Sequence, residues 1–189
     1  KGSAGFVLAK GSLSSKQSGE GDIRKALIEA RLVDCIVSLP NKLFLNTQIP
    51  ACLWFLSRAK ESDPKHPRRD KILFIDARNI GELISRKTRE FSPEDISEIA
   101  KIYRSWKTND NYEDIPGFCK SASIEDVAAL DYILTPGRYI GLPDDEDDFD
   151  FTERFNTLTA ELMTQMSVGL LLDERIKTNL AKVEVSTDE

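Results

Sequence analysis

The sequence predicts an α/β fold that continues into an α-helical carboxy-terminal region. Apolar runs of strand length occur in the first half of the chain, at residues 6–9, 32–39, 51–56 and 71–76. Apolar residues recur at intervals of three and four in the second half, most clearly over residues 151–183. Short continuous apolar runs are typical of buried strands, and the longer spacing is typical of amphipathic helices. We therefore predict an α/β region at residues 1–90 and a helical region at 91–189.

The chain opens with a strand, a helix and a second strand. The run at residues 6–9 is predicted to be a short buried strand. Asp22 is a suitable N-cap for a helix whose apolar face follows the i, i+3, i+4, i+7 pattern. The residues of that face are Ile23, Ala26, Leu27 and Ala30. Together with the strand at 32–39, these elements form a parallel crossover unit, which is expected to be right-handed.

The linker between the second and third strands is more informative. Residues 40–50 begin and end with proline and show no helical periodicity. Parallel neighbours need a crossover connection, usually a helix, which this linker does not supply. The strands at 32–39 and 51–56 are therefore predicted to pair antiparallel, and the run at 71–76 adds one more strand.

Two capped helices and one long helix are predicted in the second half. Ser92 and Ser123 each precede acidic residues and begin a helix, and Pro93 suits the first helical position. The last helix would extend roughly 50 Å at about 1.5 Å per residue, which exceeds the width of a small domain. Part of its apolar stripe is therefore predicted to pack on another protein. The candidate docking residues follow Gly169 and are Leu172, Ile176, Leu180 and Val183.

Composition narrows the classes of function. The formal net charge of −6 argues against a protein that binds duplex DNA by itself, because non-specific affinity comes mainly from Lys and Arg on phosphates. No apolar run approaches the length of about 20 residues that a membrane-spanning helix needs. Cys35, Cys52 and Cys119 are predicted to be buried thiols in a reducing cytosol. No Cys/His cluster has zinc-site spacing, so no metal is expected.

Several stretches together resemble the modification subunit of type I restriction–modification systems. No single stretch is decisive, but their succession in the family's order, over nearly the whole chain, is specific. They are GEGDIRK at 19–25, VDCIVSLP at 33–40, TQIP at 47–50 leading into LWFL at 53–56, FIDAR at 74–78, GFC at 117–119, LTPGRY at 134–139 and ERIKTNL at 174–180.

Members of that family are S-adenosylmethionine-dependent N6-adenine DNA methyltransferases, and they act with a specificity subunit and a restriction subunit. The resemblance implies the carboxy-terminal part of a Rossmann-like methyltransferase sheet, with an antiparallel last strand, followed by an α-helical region. It also implies a cytoplasmic protein whose parent methylates adenine in DNA within such a complex.

The resemblance does not extend to the catalytic residues of the family. The family's glycine-rich cofactor loop and its Asn-Pro-Pro-Phe motif precede the stretches that match here, and this chain contains no Asn-Pro-Pro sequence. We therefore expect a carboxy-terminal fragment without catalytic residues, which is inactive alone and lacks most of the S-adenosylmethionine site.

Phe44, in the loop at residues 40–50, is the candidate for stacking on the target base. In related adenine methyltransferases an aromatic residue of this loop stacks on the flipped-out base, which has lost its stacking partners. The alternative is a Phe that fills the core and anchors the loop. Nearby polar residues form a possible DNA-proximal loop, or simply a polar surface: Asn41, Lys42, Asn46 and Gln48.

Other motifs favour structural roles. Residues 19–22 resemble a phosphate cradle before a helix, but their two acids favour a loop and N-cap. The basic stretch at 58–71 fits a solvated connector better than a DNA contact, and Asp34, Asp76 and the acidic run at 144–148 are assigned no catalysis. Two rival functions stay open: a non-catalytic α/β scaffold that assembles through its long helix, and a nucleotide-binding enzyme of another reaction class.

Overall fold

The structure is a computed structural model that describes residues 2–44, 47–60, 68–142 and 151–182. The chain divides into two compact units, at residues 1–145 and 146–189. The first unit contains a mixed five-stranded sheet with helices on both faces, and the second contains one long helix. The sequence instead predicts a boundary at residue 90, and the assignment of a catalytic domain to residues 1–90 stays a prediction.

The five strands of the sheet are arranged in the order β1-β3-β2-β4-β7. Their bounds are Ser3–Ala9 (β1), Val33–Ser38 (β2), Ala51–Ser57 (β3), Lys71–Asp76 (β4) and Cys119–Ser123 (β7). Strand β3 runs antiparallel to both β1 and β2, β4 runs parallel to β2, and β7 runs antiparallel to β4. The antiparallel pairing predicted from the helix-free linker is confirmed.

Strands β1, β2 and β4 consequently point the same way, and we call the edge where they end the carboxyl edge. Strands β1 and β2 flank helix α1, Glu20–Glu29, as the crossover predicts, but β3 lies between them. The prediction that the first strand is buried was wrong. Its side chains are exposed because β1 is the outermost strand of the described sheet and its apolar face is largely uncovered.

Helix α1 also begins earlier than predicted. Asp22 lies in its first turn, and Gly19 takes the N-cap position with a left-handed φ of 79°. Glycine adopts this conformation without the steric cost that a Cβ would add. The capping prediction for Asp22 was therefore wrong, although the acid still lies where the helix dipole favours negative charge.

Apolar side chains form one cluster on each face of the sheet. Along β4, Ile72 and Phe74 belong to the cluster under α1 and the helix at Ile124–Ala129, whereas Leu73 and Ile75 belong to the cluster under the helix at Pro93–Thr108. Successive side chains of a strand point to opposite faces, so this alternation follows from the strand itself. Full burial of such a side chain stabilises the fold by roughly 1.5–3 kcal/mol.

The two predicted capped helices are confirmed. Helix α2, Pro93–Thr108, begins after Ser92, and helix α3, Ile124–Ala129, begins after Ser123. Each serine accepts a hydrogen bond from a backbone N–H three residues later, and the aspartate there accepts one in return, which makes a capping box. Cys35, Cys52 and Cys119 are buried free thiols, as predicted.

Two features of the first unit were not predicted. Strand β7 joins the sheet beside β4, and a separate hairpin pairs β5, Glu82–Ser85, with β6, Thr88–Glu90. Strand β7 is tied to the helix above it, because Trp106 donates its indole N–H to Ser121 Oγ at 2.9 Å.

Helix α4, Phe151–Leu180, is continuous through Gly169. Its 30 residues correspond to about 45 Å at a rise of about 1.5 Å per residue. None of the helices in the described ranges is both long and apolar enough to cross a membrane.

Candidate functional site

Segments that are distant in sequence meet at the carboxyl edge. Lys10, just after β1, donates its backbone N–H to the carbonyl of Pro50, just before β3, at 3.1 Å. Asp76, at the end of β4, donates its N–H to Phe118 O at 2.8 Å, and Ala77 N–H donates to Ser38 O at 2.9 Å. The stretches at 33–40, 47–50, 74–78 and 117–119, which carried the resemblance, thus reach the same edge.

The loop that follows β2 presents Phe44 outward. Phe44 is 37% exposed, and an isolated antiparallel bridge pairs it with Thr47. The neighbouring Leu43 instead packs on the apolar cluster under α2. Leu43 therefore anchors this part of the loop, whereas the ring of Phe44 is partly exposed.

The polar residues around Phe44 have unequal environments. Asn41 and Gln48 are exposed and Lys42 is half-buried, while Asn46 lies outside the described residues. Lys42 adopts a positive φ of 64° and contacts the β5–β6 hairpin twice. Its carbonyl accepts the N–H of Arg89 at 2.8 Å, and its Nζ donates to the carbonyl of Arg86 at 3.1 Å.

An ion pair and a glycine turn complete the carboxyl edge. Arg78 donates to both carboxylate oxygens of Asp76, from Nε to Oδ1 at 2.7 Å and from Nη2 to Oδ2 at 2.6 Å. This bidentate bond raises the pKa of Arg78 and fixes a guanidinium that remains partly exposed. A Cβ on Gly137 would lie 3.3 Å from Arg78 Nη2, so glycine permits the turn at residues 134–139 to approach closely.

The opposite edge of the sheet contains buried charges. Asp34 accepts hydrogen bonds from Arg68 Nη1 and from the Tyr103 hydroxyl, both at 2.8 Å. Burial raises the pKa of Tyr103, and its bond to Asp34 raises it further. Asp34 therefore joins β2 to Arg68 and to helix α2.

Lys60 is buried at the same edge. Its Nζ donates to the carbonyls of Val33 and Lys71 at 2.7 Å each, which joins the beginnings of β2 and β4. Burial lowers the pKa of Lys60 to about 8. Lys60 and Arg68 belong to the basic stretch at 58–71, and for these two residues the prediction of a solvated connector was wrong.

A cavity of about 340 Å³ opens beside β1. Its lining is mostly apolar and includes Phe6, Leu8, Ile23 and Trp54. Arg24 also lines it, but its guanidinium already donates to the carbonyls of Ser12, Ser15 and Tyr132. The cavity therefore offers an apolar surface with few groups free to bind a polar ligand.

The docking candidates on α4 are exposed. Leu172, Ile176 and Leu180 are each more than half exposed, and Val183 lies outside the described residues. No group of three His, Cys, Asp or Glu side chains within residues 2–44, 47–60, 68–142 and 151–182 is placed to hold a metal ion. The acidic run at 144–148 lies outside those ranges.

Sequence reasoning missed the β5–β6 hairpin and the buried Lys60. The hairpin has a two-residue turn, Arg86-Lys87, without the Asn-Gly or Asp-Gly pair that is the strongest hairpin signal. Nothing local to Lys60 marks it as buried, because the two carbonyls that it binds come from other strands.

Comparison with known proteins identifies the relatives of this chain. It is 47% identical over 180 residues to the type I restriction enzyme HindI methylase subunit of Haemophilus influenzae, and 39% identical over 178 residues to the MjaIX methylase subunit of Methanocaldococcus jannaschii. These alignments cover 95% and 93% of this chain but only 39% and 30% of the two relatives.

A solved structure is similar as well. The type I restriction–modification methyltransferase subunit of Streptococcus thermophilus superposes with a TM-score of 0.62 at 31% identity, covering 75% of this chain and 27% of that one. The profile described as N-6 DNA Methylase matches residues 1–148. The chain belongs to the N-6 DNA methylase family.

Proposed function

We propose that this chain is the carboxy-terminal part of a type I modification subunit, which transfers a methyl group from S-adenosylmethionine to the N6 of adenine in DNA. The chain spans well under half the length of its relatives, so this activity is proposed for the parent protein. We propose that the parent is cytoplasmic, where it would meet its DNA substrate. Within it, residues 1–90 would be the second half of the catalytic domain and residues 91–189 the helical region.

The observation that carries the proposal is the exposure of Phe44 while Leu43 anchors its loop. An enzyme that modifies the amino group of adenine must extract the base from the stack, and an aromatic platform replaces the lost stacking. Phe44 lies in the loop that follows β2, at the carboxyl edge. Ligands of open α/β sheets bind outside the carboxyl ends of the strands.

The strand order supports the same proposal. An antiparallel strand inserted between two strands of common direction, as β3 is between β1 and β2, fits the antiparallel strand of a Rossmann-like methyltransferase sheet, which β4 and β7 here extend beyond β2. The apolar cavity beside β1 and the unpaired edge of β1 among the described strands suit pairing with further strands of the parent.

The described residues do not fit S-adenosylmethionine by themselves. Its ribose hydroxyls and amino-acid group need several carboxylates and N–H donors, whereas the mostly apolar cavity beside β1 offers one carboxylate, Glu20, and an Arg24 that is already committed. We therefore propose that the chain 1–189 alone neither methylates DNA nor binds the cofactor tightly. Calorimetric titration of the purified chain with S-adenosylmethionine tests this, and micromolar binding would reject it.

Phe44→Ala in the full-length parent, assembled with its specificity subunit, tests the function. Loss of a base–aromatic stack removes about 1–3 kcal/mol, so methyl transfer to a cognate duplex is expected to fall about tenfold or more. Phe44→Tyr retains the ring and is expected to retain activity. Ile49→Ala, an exposed aliphatic residue of the same loop, is the matched control and should act like the parent.

Two results would contradict this role for Phe44. Methylation by Phe44→Ala at the parental rate would make the residue irrelevant to base flipping. A fall in melting temperature that accounts for the lost activity would instead favour the core-filling role. Circular dichroism melts of the three variants separate these cases.

Helix α4 supports a second function, assembly. Leu172, Ile176 and Leu180 form an exposed apolar stripe, and soluble monomers rarely keep large exposed apolar patches. The relatives are described as subunits of type I restriction enzymes. We propose that this stripe docks on helices of the specificity subunit, which brings the methyltransferase, and with it the restriction subunit, to the DNA sequence that is read.

A further inference from the structure

We propose that the β5–β6 hairpin is a DNA-backbone clamp, whose tip residues Arg86 and Lys87 bind phosphates beside the extruded adenine. The proposal rests on the proposed function, because it assumes that the parent binds DNA at the loop containing Phe44. It adds a surface that neither the sequence motifs nor the relatives' descriptions assign.

Position is the first argument. Lys42, two residues before Phe44, is joined to the hairpin by a backbone bond from Arg89 and by a side-chain bond to the Arg86 carbonyl. The hairpin and the loop that contains Phe44 are therefore one connected surface at the carboxyl edge. The turn at residues 86–87 itself contains the carbonyl that Lys42 binds, so the turn lies near the loop that contains Phe44.

The charge of the hairpin is the second argument. The whole chain has a net charge of −6, yet Lys42, Arg86, Lys87 and Arg89 lie together here. The hairpin's acids, Glu82 and Glu90, face each other at its far end from the turn. Within the described part of the chain, Arg86 and Lys87 have no carboxylate at ion-pair distance, so their charges are free for phosphates.

The hairpin is also held in place, which a clamp requires. An isolated two-stranded hairpin is marginally stable in water, so its contacts with the rest of the chain matter. Arg89 Nη1 donates to the carbonyls of Ile80 and Gly81, at 3.2 and 2.6 Å. Gly81 has a φ of +82°, and a Cβ there would lie 2.6 Å from Glu90 O, so only glycine closes this base.

Phosphate is a better match for the tip than a base edge. Lys and Arg charges on phosphates fix the register of a protein on the duplex without reading sequence. The turn carries no side-chain amide, and the fork of Arg86 would read a guanine only if it were aimed into a groove, in which case Arg86→Gln would weaken the methylated duplex more than the unrelated one. In this arrangement the hairpin holds the backbone while Phe44 stacks on the base between.

The test measures binding of the full-length parent, assembled with its specificity subunit, to a duplex that it methylates and to an unrelated duplex. The DNA association constant K falls as salt rises, and each lost phosphate contact makes the slope of log K against log salt shallower by about 1. Arg86→Gln/Lys87→Gln is therefore expected to make that slope shallower by about 2. It should also weaken binding to both duplexes by the same factor. Arg86→Lys/Lys87→Arg retains the charge and should retain the slope.

Lys101→Gln/Arg104→Gln is the matched control, because it removes two exposed cations from α2 and should leave the slope unchanged. An unchanged slope for the hairpin variant, with Phe44→Ala still impairing methylation, rejects the clamp and keeps the proposed function. Absence of DNA binding and methylation by the parent itself rejects both. Loss of the specificity subunit from the hairpin variant rejects the clamp in favour of a protein contact through the exposed Leu83 and Ile84.

Discussion

The α/β unit at residues 1–145 buries its apolar side chains within itself, whereas helix α4 exposes its own. Strand β4 is covered on both faces, so that Ile72 to Ile75 are completely buried. On α4, Val168, Leu170, Leu171 and Leu172 surround Gly169, and each is more than half exposed. A helical segment that is apolar on every side is expected to be buried. The first unit therefore has the core that its stability requires, whereas the second exposes an apolar segment around Gly169 in addition to its stripe.

Phe74→Ala is expected to reduce the free energy of unfolding more than any other variant, and it affects the first unit only. Phe74 is fully buried, and its ring stacks on Tyr139 with centroids 4.0 Å apart. Truncation of such a side chain costs about 3–5 kcal/mol. Urea unfolding followed by far-ultraviolet circular dichroism measures the loss in both units, because both tryptophans, Trp54 and Trp106, lie in the first unit and report on it alone. Leu171→Ala, at an exposed position of α4, should stay within about 0.5 kcal/mol of the parent chain.

Equal destabilisation by the two variants would contradict the comparison. It would mean that Leu171 is as well packed as Phe74 in solution, and that the unit at residues 146–189 has a core of its own.

Arg68→Met is expected to cause the second-largest loss of stability, because it leaves the buried charge of Asp34 without its partner. Asp34 would lose its bond to Arg68 Nη1 and keep only that of the Tyr103 hydroxyl. Breaking a buried ion pair in this way costs about 3–5 kcal/mol. Adding Asp34→Asn removes the uncompensated charge, so the double variant should be more stable than Arg68→Met. A double-mutant cycle in urea measures both, and a less stable double variant would show that the pair is not coupled.

The sequence could predict the features that depend on local residues, but not those that depend on contacts between distant strands. The antiparallel pairing of β2 and β3 follows from a short linker with a proline at each end, which is local information. The capping boxes at Ser92 and Ser123 are local too. Strand β7 was missed because its sequence, CKSAS, has no continuous apolar run and owes its place to pairing with β4. Likewise, burial of Lys60 depends on carbonyls that only the folded sheet brings together.

The candidate site divides in the same way. Phe44 could be singled out only through the family resemblance, since one Phe in a loop is more often an anchor. That Leu43 is the anchor, and that Lys42 binds the hairpin, depends on contacts across the carboxyl edge that no local pattern encodes. The apolar stripe of α4 is read directly from spacing, because it is a property of one helix.

Lys60→Met should have a smaller, pH-dependent effect. The pKa of Lys60 is lowered from 10.5 to about 8, so between these values the unfolded chain binds a proton that the folded chain has released. Stability from this group therefore rises as pH increases from 8 to 10.5. Across that pH window, the free energy of unfolding of the unsubstituted chain should rise by at most about 3 kcal/mol relative to that of Lys60→Met. Urea midpoints at several pH values measure the difference.

The unsubstituted chain must be compared with Lys60→Met, because other groups titrate in the same pH range and also change the free energy of unfolding. Burial raises the pKa of Cys35, Cys52 and Cys119, and these thiols reduce stability as pH rises. Their contribution is common to both chains and cancels. If the unsubstituted chain instead loses stability relative to Lys60→Met as pH rises, the fold stabilises the ammonium form of Lys60.

The smallest effect on folding is expected from Leu172→Ser/Ile176→Ser/Leu180→Ser, and this variant tests the second unit most directly. Its three side chains are exposed, so the melting temperature of the α/β unit should not change. Binding of the specificity subunit should nevertheless be lost from the full-length parent, because the variant removes the apolar stripe that we propose as the docking surface. Glu174→Ser/Lys177→Ser/Thr178→Ser introduces the same serines between those positions and should still bind. Co-purification of the apolar variant at undiminished yield would reject the docking surface, and a change in self-association instead would identify a second copy of the chain as the partner of α4.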